Sequence, residues 1–190
     1  MTTKLIDNNR LSLNDALQEV LPKFKNVSIA TGYWDLPGFQ LLQENLKEYD
    51  EVRLLIGQEP LPPHRVNNLD LDNLDETFPE VHVGAGLANL EQTAELRESA
   101  KILKSLISEG KIQVKILRGS FLHAKAYIFG QSTSNEAVGI IGSSNFTAAG
   151  LTKNRELNVL EDSVHSVVFT PVTPEQPHSH LSWFEEIWNS

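Results

Sequence analysis

Two short, largely apolar runs, residues 27–30 and 52–56, do most to narrow the choice of fold for this chain of 190 residues. Each is bounded by polar residues or glycine and is short enough to predict a buried β-strand. Between them Leu41, Leu42 and Leu46 recur at helical spacing, and Pro37 fits the first turn of that helix. Because a parallel pair of strands needs a long crossover, a strand, a helix and a strand in this order predict an α/β protein.

Further periodic segments extend this pattern. Apolar residues from Leu13 to Phe24 follow helical spacing, with Ser12 or Asn14 as the cap. A longer helix is predicted over residues 87–109, before Gly110. Five more strands are predicted at residues 112–117, 122–129, 137–141, 157–160 and 164–169. The expected fold is a mixed β-sheet flanked by helices on both faces, and the irregular stretch 59–86 is where a lid or specificity element could lie.

The C-terminal residues suggest a separate element. Pro171, Pro174 and Pro177 mark a connection, so we expect a domain over residues 1–170 and a connection with an amphipathic helix over 171–190. One face of that helix would carry Trp183, Phe184, Ile187 and Trp188. Three interpretations stay open: the helix docks on its own sheet, mediates self-association, or forms the junction to a missing domain.

Composition excludes several classes of protein. The chain has no cysteine, which rules out a disulfide scaffold, a thiolate metal site and a cysteine nucleophile. No apolar run approaches the ~18 residues of a membrane helix, and residues 1–10 have no signal-peptide core. We therefore expect a soluble cytoplasmic protein that does not act at a membrane. His178 and His180 could bind a metal, but without a third ligand we expect them to be solvent-exposed, and we predict no metal site.

The distribution of charge differs from its total. The net charge is −9, yet residues 111–155 hold six cations and one acid. This basic segment suggests a local anion site, the alternative being random clustering on solvated faces. Candidate nucleic-acid contacts are Arg118, Lys153 and Arg155. Tyr33 and Trp34 end a predicted strand and could stack on a base or line the rim of the core, and nothing fixes the place of the pair His64-Arg65.

Residues 121–156 carry the densest set of reactive side chains. On a strand, side chains two positions apart share a face, so His123 and Lys125 should project together. The opposite face is apolar and core-like: Leu122, Ala124, Ala126 and Ile128. An imidazole beside a fixed cation suits a phosphate, because one group can do chemistry while the other supplies charge.

A polar turn and a carboxylate follow. Residues 142–145, Gly-Ser-Ser-Asn, come after a buried run, where small polar groups and backbone N–H groups can close on an anion. Glu156 opens the next predicted strand and could orient an imidazole. Taken singly, each feature also fits an ordinary role: a structural histidine, a turn and an exposed ion-pair partner.

Taken together in this order and spacing, His123-x-Lys125, Gly142-Ser143-x-Asn145 and Glu156 resemble the His-Lys motif of the phospholipase D superfamily. The context is similar to its nuclease branch and to the phospholipase-D-like domains at the N-terminus of some bacterial helicases. The motif covers about residues 117–160, and a looser likeness runs over 27–188. One position departs, because the family's aspartate five residues after the lysine is Gly130 here, which we interpret as a mark of the nuclease branch.

The resemblance implies a mechanism. His123 would attack phosphorus and form a phosphohistidine that water resolves, and Glu156 would hold the imidazole in the right tautomer. Lys125 and Asn145 would bind the non-bridging oxygens with help from Ser143 and Ser144, and no metal or other cofactor is implied.

A second histidine must protonate the leaving oxygen, yet only His123 among six histidines is followed by x-Lys. The economical completion is a homodimer in which two His123 side chains share one phosphate, which predicts a bell-shaped pH–rate profile. DNA is the expected substrate, and a C-terminal helicase domain would be a partner in a longer protein. Two alternatives remain. One is a catalytically silent nucleic-acid-binding or interaction module of a helicase. The other is a phospholipase, against which stand the short chain, the single motif and the lack of an amphipathic anchoring segment with a basic face.

Overall fold

The computed structural model describes residues 4–57, 94–118, 122–130, 137–162 and 179–190. The strands are β1 (Lys4–Ile6), β2 (Asn26–Thr31), β3 (Glu51–Gly57), β4 (Ile112–Leu117), β5 (Ala126–Phe129), β6 (Val138–Gly142) and β7 (Asn158–Asp162). The α-helices are α1 (Leu13–Val20), α2 (Leu36–Leu46), α3 (Ala94–Ser108), α4 (Ala148–Thr152) and α5 (His180–Trp188), with a 3₁₀ turn at Leu21–Lys23. The predicted irregular stretch 59–86, the predicted helix start at 87–93, the predicted strand 164–169 and the proline-rich connection before residue 179 lie outside the described residues.

The described strands form one mixed sheet in the order β1-β7-β6-β5-β2-β3-β4. β2, β3 and β4 run parallel, and the other neighbouring pairs are antiparallel. The predicted strand–helix–strand unit is confirmed as β2-α2-β3. Its helix begins as expected, because the Asp35 side chain accepts from the Gly38 N–H and Pro37 lies in the first turn.

Helices cover both faces of the sheet, as predicted. The larger core lies under α1 to α4 and includes Leu17, Phe39, Leu106 and Leu151. The second core lies on the other face, where Leu181, Phe184 and Trp188 of α5 pack on Ala30, Leu55, Ala126 and Ile128. The C-terminal helix therefore docks on its own sheet, the first of the three interpretations offered by the sequence.

A buried cation ties α5 to the sheet. Arg53 on β3 is 9% exposed, donates to the Ser28 hydroxyl and forms an ion pair with Glu185 at 2.6 Å. Its guanidinium lies 5.2 Å from the centre of the Phe184 ring and 5.7 Å from that of Trp188. Neighbouring Lys115 donates to the Trp188 carbonyl. The contacts of Arg53 replace the hydration that its charge loses on burial.

Two predicted bounds differ from the structure, and two short elements were not predicted. α1 ends at Val20 rather than Phe24, because Pro22 cannot continue the helix and a 3₁₀ turn follows. β5 begins at Ala126 rather than Leu122, since β2 pairs with it only as far as Ala30. β1 and α4 were not predicted, because three and five residues are too few to show a period.

Candidate active site

The predicted site residues collect at one edge of the sheet. The register places the ends of β2, β3, β4 and β6 at the same edge as the starts of β5 and β7. His123 and Lys125 immediately precede β5, Ser143 and Asn145 follow β6, and Glu156 precedes β7. Antiparallel pairing of β5, β6 and β7 therefore brings His123 and Glu156, which are 33 residues apart along the chain, to the same edge of the sheet.

His123 and Lys125 lie in an irregular segment, so the prediction that they share the face of a strand is wrong. The His123 side chain is exposed, whereas Lys125 is 6% exposed and its Nζ donates to the His123 carbonyl at 3.1 Å. The segment packs closely against the end of β3, where a Cβ added to Gly57 would lie 2.1 Å from the Leu122 carbonyl oxygen. This short segment therefore carries a buried ammonium group, bonded to its own backbone, and an exposed histidine.

The Asn145 side chain is oriented by the end of β2. Its Oδ1 accepts from the Tyr33 backbone N–H at 3.0 Å and lies 3.3 Å from the Thr31 hydroxyl. A backbone N–H can only donate, so it fixes which end of the amide faces β2. Among the described residues none accepts from the Asn145 Nδ2, which leaves that N–H₂ group as a donor for an anion.

Thr31 and Asp35 hold the turn that carries Asn145, and sequence reasoning missed both as site residues. The Thr31 hydroxyl accepts from the Phe146 N–H and donates to the Tyr33 carbonyl. The Asp35 Oδ1 accepts from the Ala148 N–H at 2.9 Å as well as capping α2. The Asp-x-Pro sequence signals only the helix cap, because the contact with residue 148 crosses more than a hundred positions.

Ser143 and Glu156 form a pair. The Ser143 hydroxyl donates to Glu156 Oε2 at 2.5 Å and accepts from the Leu157 N–H at 3.0 Å, and Asn154 donates to Glu156 Oε1. The carboxylate therefore fixes the direction of the exposed Ser143 hydroxyl. Its predicted action on the His123 imidazole stays a prediction.

Ser144 points into the protein rather than toward the site edge. The residue is 0% exposed, its hydroxyl accepts from Asn158 Nδ2, and its N–H donates to Asn158 Oδ1. The Ser144 carbonyl accepts from the Tyr127 hydroxyl, and burial raises the pKa of Tyr127 well above its ordinary value. The structure thus makes Ser144 part of the support beneath the turn and does not bring its side chain to the predicted phosphate site. Asn158 and Tyr127 were missed because their partners are distant in sequence.

The candidate nucleic-acid contacts divide by position. Lys153 and Arg155 are exposed in the connection between α4 and β7, beside Glu156. Arg118 is exposed at the end of β4, three strand spacings (about 14 Å) from β5. Tyr33 is 37% exposed, whereas Trp34 packs against the larger core and pairs with Phe146. Of the two aromatic residues, Tyr33 is the more exposed, and Trp34 lines the core rim.

Gly130, the position that departs from the family pattern, lies at the opposite edge of the sheet. It follows β5, its N–H donates to the Asn26 carbonyl at the start of β2, and its φ is +98°. Glycine adopts this conformation without strain, whereas an aspartate there would be strained. Residue 130 therefore has no side chain here, and it lies away from the edge that carries the candidate site.

Two other histidine predictions concern metal binding. His180 is 6% exposed, packed over Gly139, which corrects the expectation that it is solvent-exposed, because it begins α5. His178 and His64 lie outside the described residues. Within the described ranges no group of three or more potential metal-ligating side chains occurs, and no helix is long and apolar enough to cross a membrane.

Comparison with known proteins identifies the family. The chain matches the family model described as cardiolipin synthase, PLD-like domain, over residues 23–188. The chain belongs to the phospholipase-D-like family. This confirms the family indicated by the His-Lys motif. No curated protein matches this phospholipase-D-like chain.

Solved structures share this phospholipase-D-like fold. Nuc from Salmonella typhimurium, described as a phospholipase D family member, is 14% identical, with a TM-score of 0.53 over 99% of this chain and 94% of Nuc. NucT from Helicobacter pylori is 12% identical, with a TM-score of 0.51 over 100% and 96% of the two chains. Phosphatidylserine synthase from Haemophilus influenzae is 15% identical, with a TM-score of 0.52 over 84% of this chain and 34% of that one.

Proposed function

We propose that this phospholipase-D-like protein is a metal-independent phosphodiesterase that cleaves DNA through a phosphohistidine intermediate. The observation that carries the proposal is the convergence at one sheet edge of an exposed imidazole, a buried lysine and an oriented amide donor. A phosphodiester needs these three groups: a nucleophile, a fixed positive charge and hydrogen-bond donors for its non-bridging oxygens.

Each residue has a distinct role in the proposed reaction. A His123 ring nitrogen attacks phosphorus, the bond from phosphorus to the leaving oxygen breaks, and water later attacks the phosphohistidine to restore the free imidazole. Lys125 and Asn145 Nδ2 stabilise the charge on the non-bridging oxygens. Ser143 contributes to the same oxygens when its single hydroxyl proton, which points to Glu156 in the free protein, turns to the phosphate.

DNA is the proposed substrate because of the charge near the site. Lys153 and Arg155 are exposed beside Glu156, and Arg118 extends the positive charge along the same edge. Cations that line one path attract a phosphate backbone even when the whole protein is acidic. The fold shared with Nuc and NucT agrees with this choice. A C-terminal helicase domain in a longer protein remains part of the proposal.

A homodimer would complete the site. The leaving oxygen needs a proton donor, and the sequence contains one His-x-Lys pair. Two chains related by a two-fold axis would bring two His123 side chains to one phosphate, one as nucleophile and the other as acid.

The test is cleavage of supercoiled plasmid DNA in EDTA by the wild type, by His123→Ala and by His178→Ala as a matched control, together with DNA binding by all three. We expect nicking by the wild type and by the control, and a loss of at least 10³-fold in His123→Ala with binding retained. Activity in His123→Ala would show that the nucleophile is wrongly assigned. A wild type that binds DNA without cleaving it would favour the silent binding module instead.

A further inference from the structure

The side chain of Asn8 joins the N-terminal segment to the connection between α4 and β7. Its Nδ2 donates to the Gly150 carbonyl at 2.8 Å and to the Asn154 carbonyl at 3.0 Å. Its Oδ1 accepts from the Leu13 N–H at 2.8 Å. Because the amide nitrogen carries two hydrogens, one side chain serves both carbonyls, and the contact with Leu13 fixes which end of the amide faces them. Both carbonyl partners lie more than 140 positions along the chain, so no short sequence window points to Asn8.

The backbone at Asn8 is as specific as its side chain. Its φ is +57°, and among the described residues it is the only one other than glycine with a positive φ. Asparagine adopts this left-handed conformation more readily than most residues do. The Asn8 N–H also donates to the Leu11 carbonyl at 3.0 Å, which closes the turn between β1 and α1. The position therefore needs both a left-handed backbone and an amide that donates twice. Glycine meets the first need alone, and aspartate lacks the donors.

The end of α4 leaves a carbonyl group that Asn8 satisfies. In a continuing helix the Asn154 N–H would bond to the Gly150 carbonyl, but it donates to the Ala149 carbonyl instead, at 2.8 Å. Gly150 is buried, so its carbonyl needs another donor, and the Asn8 amide provides it. β1 also pairs with β7, which follows the connection. The N-terminal segment thus holds both the connection and the strand that it leads into.

This connection is exposed and positively charged. Lys153 and Arg155 flank Asn154, and all three residues are exposed. The Asn154 Nδ2 donates to Glu156 Oε1 at 3.3 Å, and Glu156 Oε2 accepts from the Ser143 hydroxyl. Hydrogen bonds therefore link the connection to the site edge. Long cationic side chains bind a phosphate more tightly when the backbone that carries them is already fixed, because less conformational freedom is lost on binding.

We propose that Asn8 positions residues 153–156 as a preformed loop that binds the DNA backbone beside the scissile phosphate. The inference rests on the proposed function, since it takes DNA as the substrate. In this scheme Lys153 and Arg155 contact flanking phosphates, whereas Asn8 touches no substrate and is a positioning residue. Flanking phosphates are held equally before and during the reaction, so the loss of Asn8 should raise KM and leave kcat almost unchanged.

The experiment measures binding of a short labelled DNA duplex by fluorescence anisotropy over a range of salt concentrations. It uses the full chain with His123→Ala, which keeps the DNA intact. Asn8→Gly removes the amide but suits the left-handed backbone. We expect about tenfold weaker binding, and a plot of log affinity against log salt concentration that is shallower by about 1 to 2, because each lost phosphate contact removes about 0.9 from this slope. The matched control is Asn9→Gly, the same change at an exposed neighbour, which should bind DNA as its parent does.

A double-mutant cycle distinguishes positioning of the loop from a general loss of structure. In a chain that already carries Lys153→Gln and Arg155→Gln, adding Asn8→Gly should change the affinity for DNA by less than about twofold. A merely structural role would lower the affinity equally with and without the two cations. In the active chain, Asn8→Gly should raise KM about tenfold and keep kcat within about threefold.

A second variant keeps the bond to Leu13. Asn8→Asp has the same size and retains Oδ1, but it places an oxygen opposite the two carbonyls, so it should weaken DNA binding at least as much as Asn8→Gly. Asn9→Asp adds the same charge one position away and is its control. Circular dichroism shows which variants are folded.

Two results would overturn the inference: unchanged affinity and salt dependence in a folded Asn8 variant, or an equal loss of affinity in both backgrounds of the cycle. A wild type that binds no DNA would overturn it together with the choice of substrate. A failure of the proposed chemistry appears separately, as a wild type that binds DNA but does not cleave it in EDTA.

Discussion

The hydroxyl of Thr31 lies among three groups of the site. It accepts from the Phe146 N–H at 3.0 Å, donates to the Tyr33 carbonyl, and lies 3.3 Å from Asn145 Oδ1. A single hydroxyl at the end of β2 therefore sets both the turn and the amide that we assign to the phosphate oxygens. Thr31 touches no substrate in this scheme and is a positioning residue.

Replacing Thr31 by valine should lower kcat about 10- to 100-fold with a smaller change in KM, because a displaced Asn145 weakens contacts made in the transition state. Thr31→Ser keeps the hydroxyl and should restore kcat to within about threefold. Steady-state kinetics on a DNA substrate measure both. The matched control is Thr152→Val, which removes a hydroxyl bonded to the Ala148 carbonyl in α4. Equal kcat values in the two valine variants would contradict the positioning role.

At the scale of elements, α5 is attached to the sheet by charge as well as by apolar packing. Arg53 pairs with Glu185 at 2.6 Å, and Glu51 lies farther away at 3.7 Å. Arg53 is largely buried and has lost most of its hydration. Its charge is now stabilised by Glu185, by the Ser28 hydroxyl and by the two aromatic rings of α5. Removing one partner of such a pair costs more than the pair is worth against an apolar replacement.

A double-mutant cycle with Arg53→Met and Glu185→Gln should therefore give a coupling free energy of about 1–2 kcal/mol in urea unfolding. Arg53→Met alone should cost more than Glu185→Gln alone, since it also loses the Ser28 hydroxyl and the aromatic contacts. The control is the same cycle on the exposed pair Glu98–Lys101, with Glu98→Gln and Lys101→Met, which should give a coupling of less than about 0.5 kcal/mol. Coupling no larger than that of the exposed pair would show that α5 is held by apolar packing alone.

The start of α5 should make stability depend on pH. Burial lowers the pKa of His180 below its ordinary value of 6.5, so under acid conditions the unfolded chain takes up a proton that the folded chain does not. Stability should fall as pH drops from 7 to 5, by at most about 1.4 kcal/mol per pH unit from this group. Unfolding free energies of the wild type and His180→Gln across this range measure the effect. Parallel curves for the two proteins would contradict it.

At the scale of the whole molecule, the sheet gathers the site at one edge and the sequence provides one His-x-Lys pair for it. The net charge is −9, yet residues 111–155 hold six cations and one acid, so the acidic residues lie mostly in other parts of the sequence. Of these six cations, Arg118, Lys125, Lys153 and Arg155 lie at or near the site edge, whereas Lys111 precedes β4 at the opposite edge. The site edge would have to meet its copy if two chains share one phosphate.

Mixing wild-type and His123→Ala chains distinguishes a shared site from independent ones. If one phosphate needs His123 from both chains, mixed dimers are inactive, and total activity falls as the square of the wild-type fraction. We expect this quadratic dependence after co-refolding at fixed total protein, with dimers found by solution mass. The control uses His178→Ala, whose mixtures should keep full activity. A linear fall with His123→Ala would show that each chain acts alone.

The sequence by itself predicted the α/β class, the parallel β2-β3 pair and the family, and it offered Ser12 or Asn14 as the first helix cap, of which the structure has Ser12. These features depend on periods and spacings within short windows, which neighbouring residues determine. It also selected His123, Lys125, Ser143, Asn145 and Glu156, because their order is written along the chain.

The tertiary structure alone decided which atoms face which. Lys125 is buried and bonds to the His123 carbonyl, Ser144 turns inward to Asn158, and Thr31 orients Asn145. The second and third contacts join segments that are 14 and 114 residues apart along the chain. The direction of a side chain at the end of a strand also depends on where the hydrogen bonds between neighbouring strands stop. Local pattern carries no information on that point, because strand pairing is set by the packing of the whole sheet.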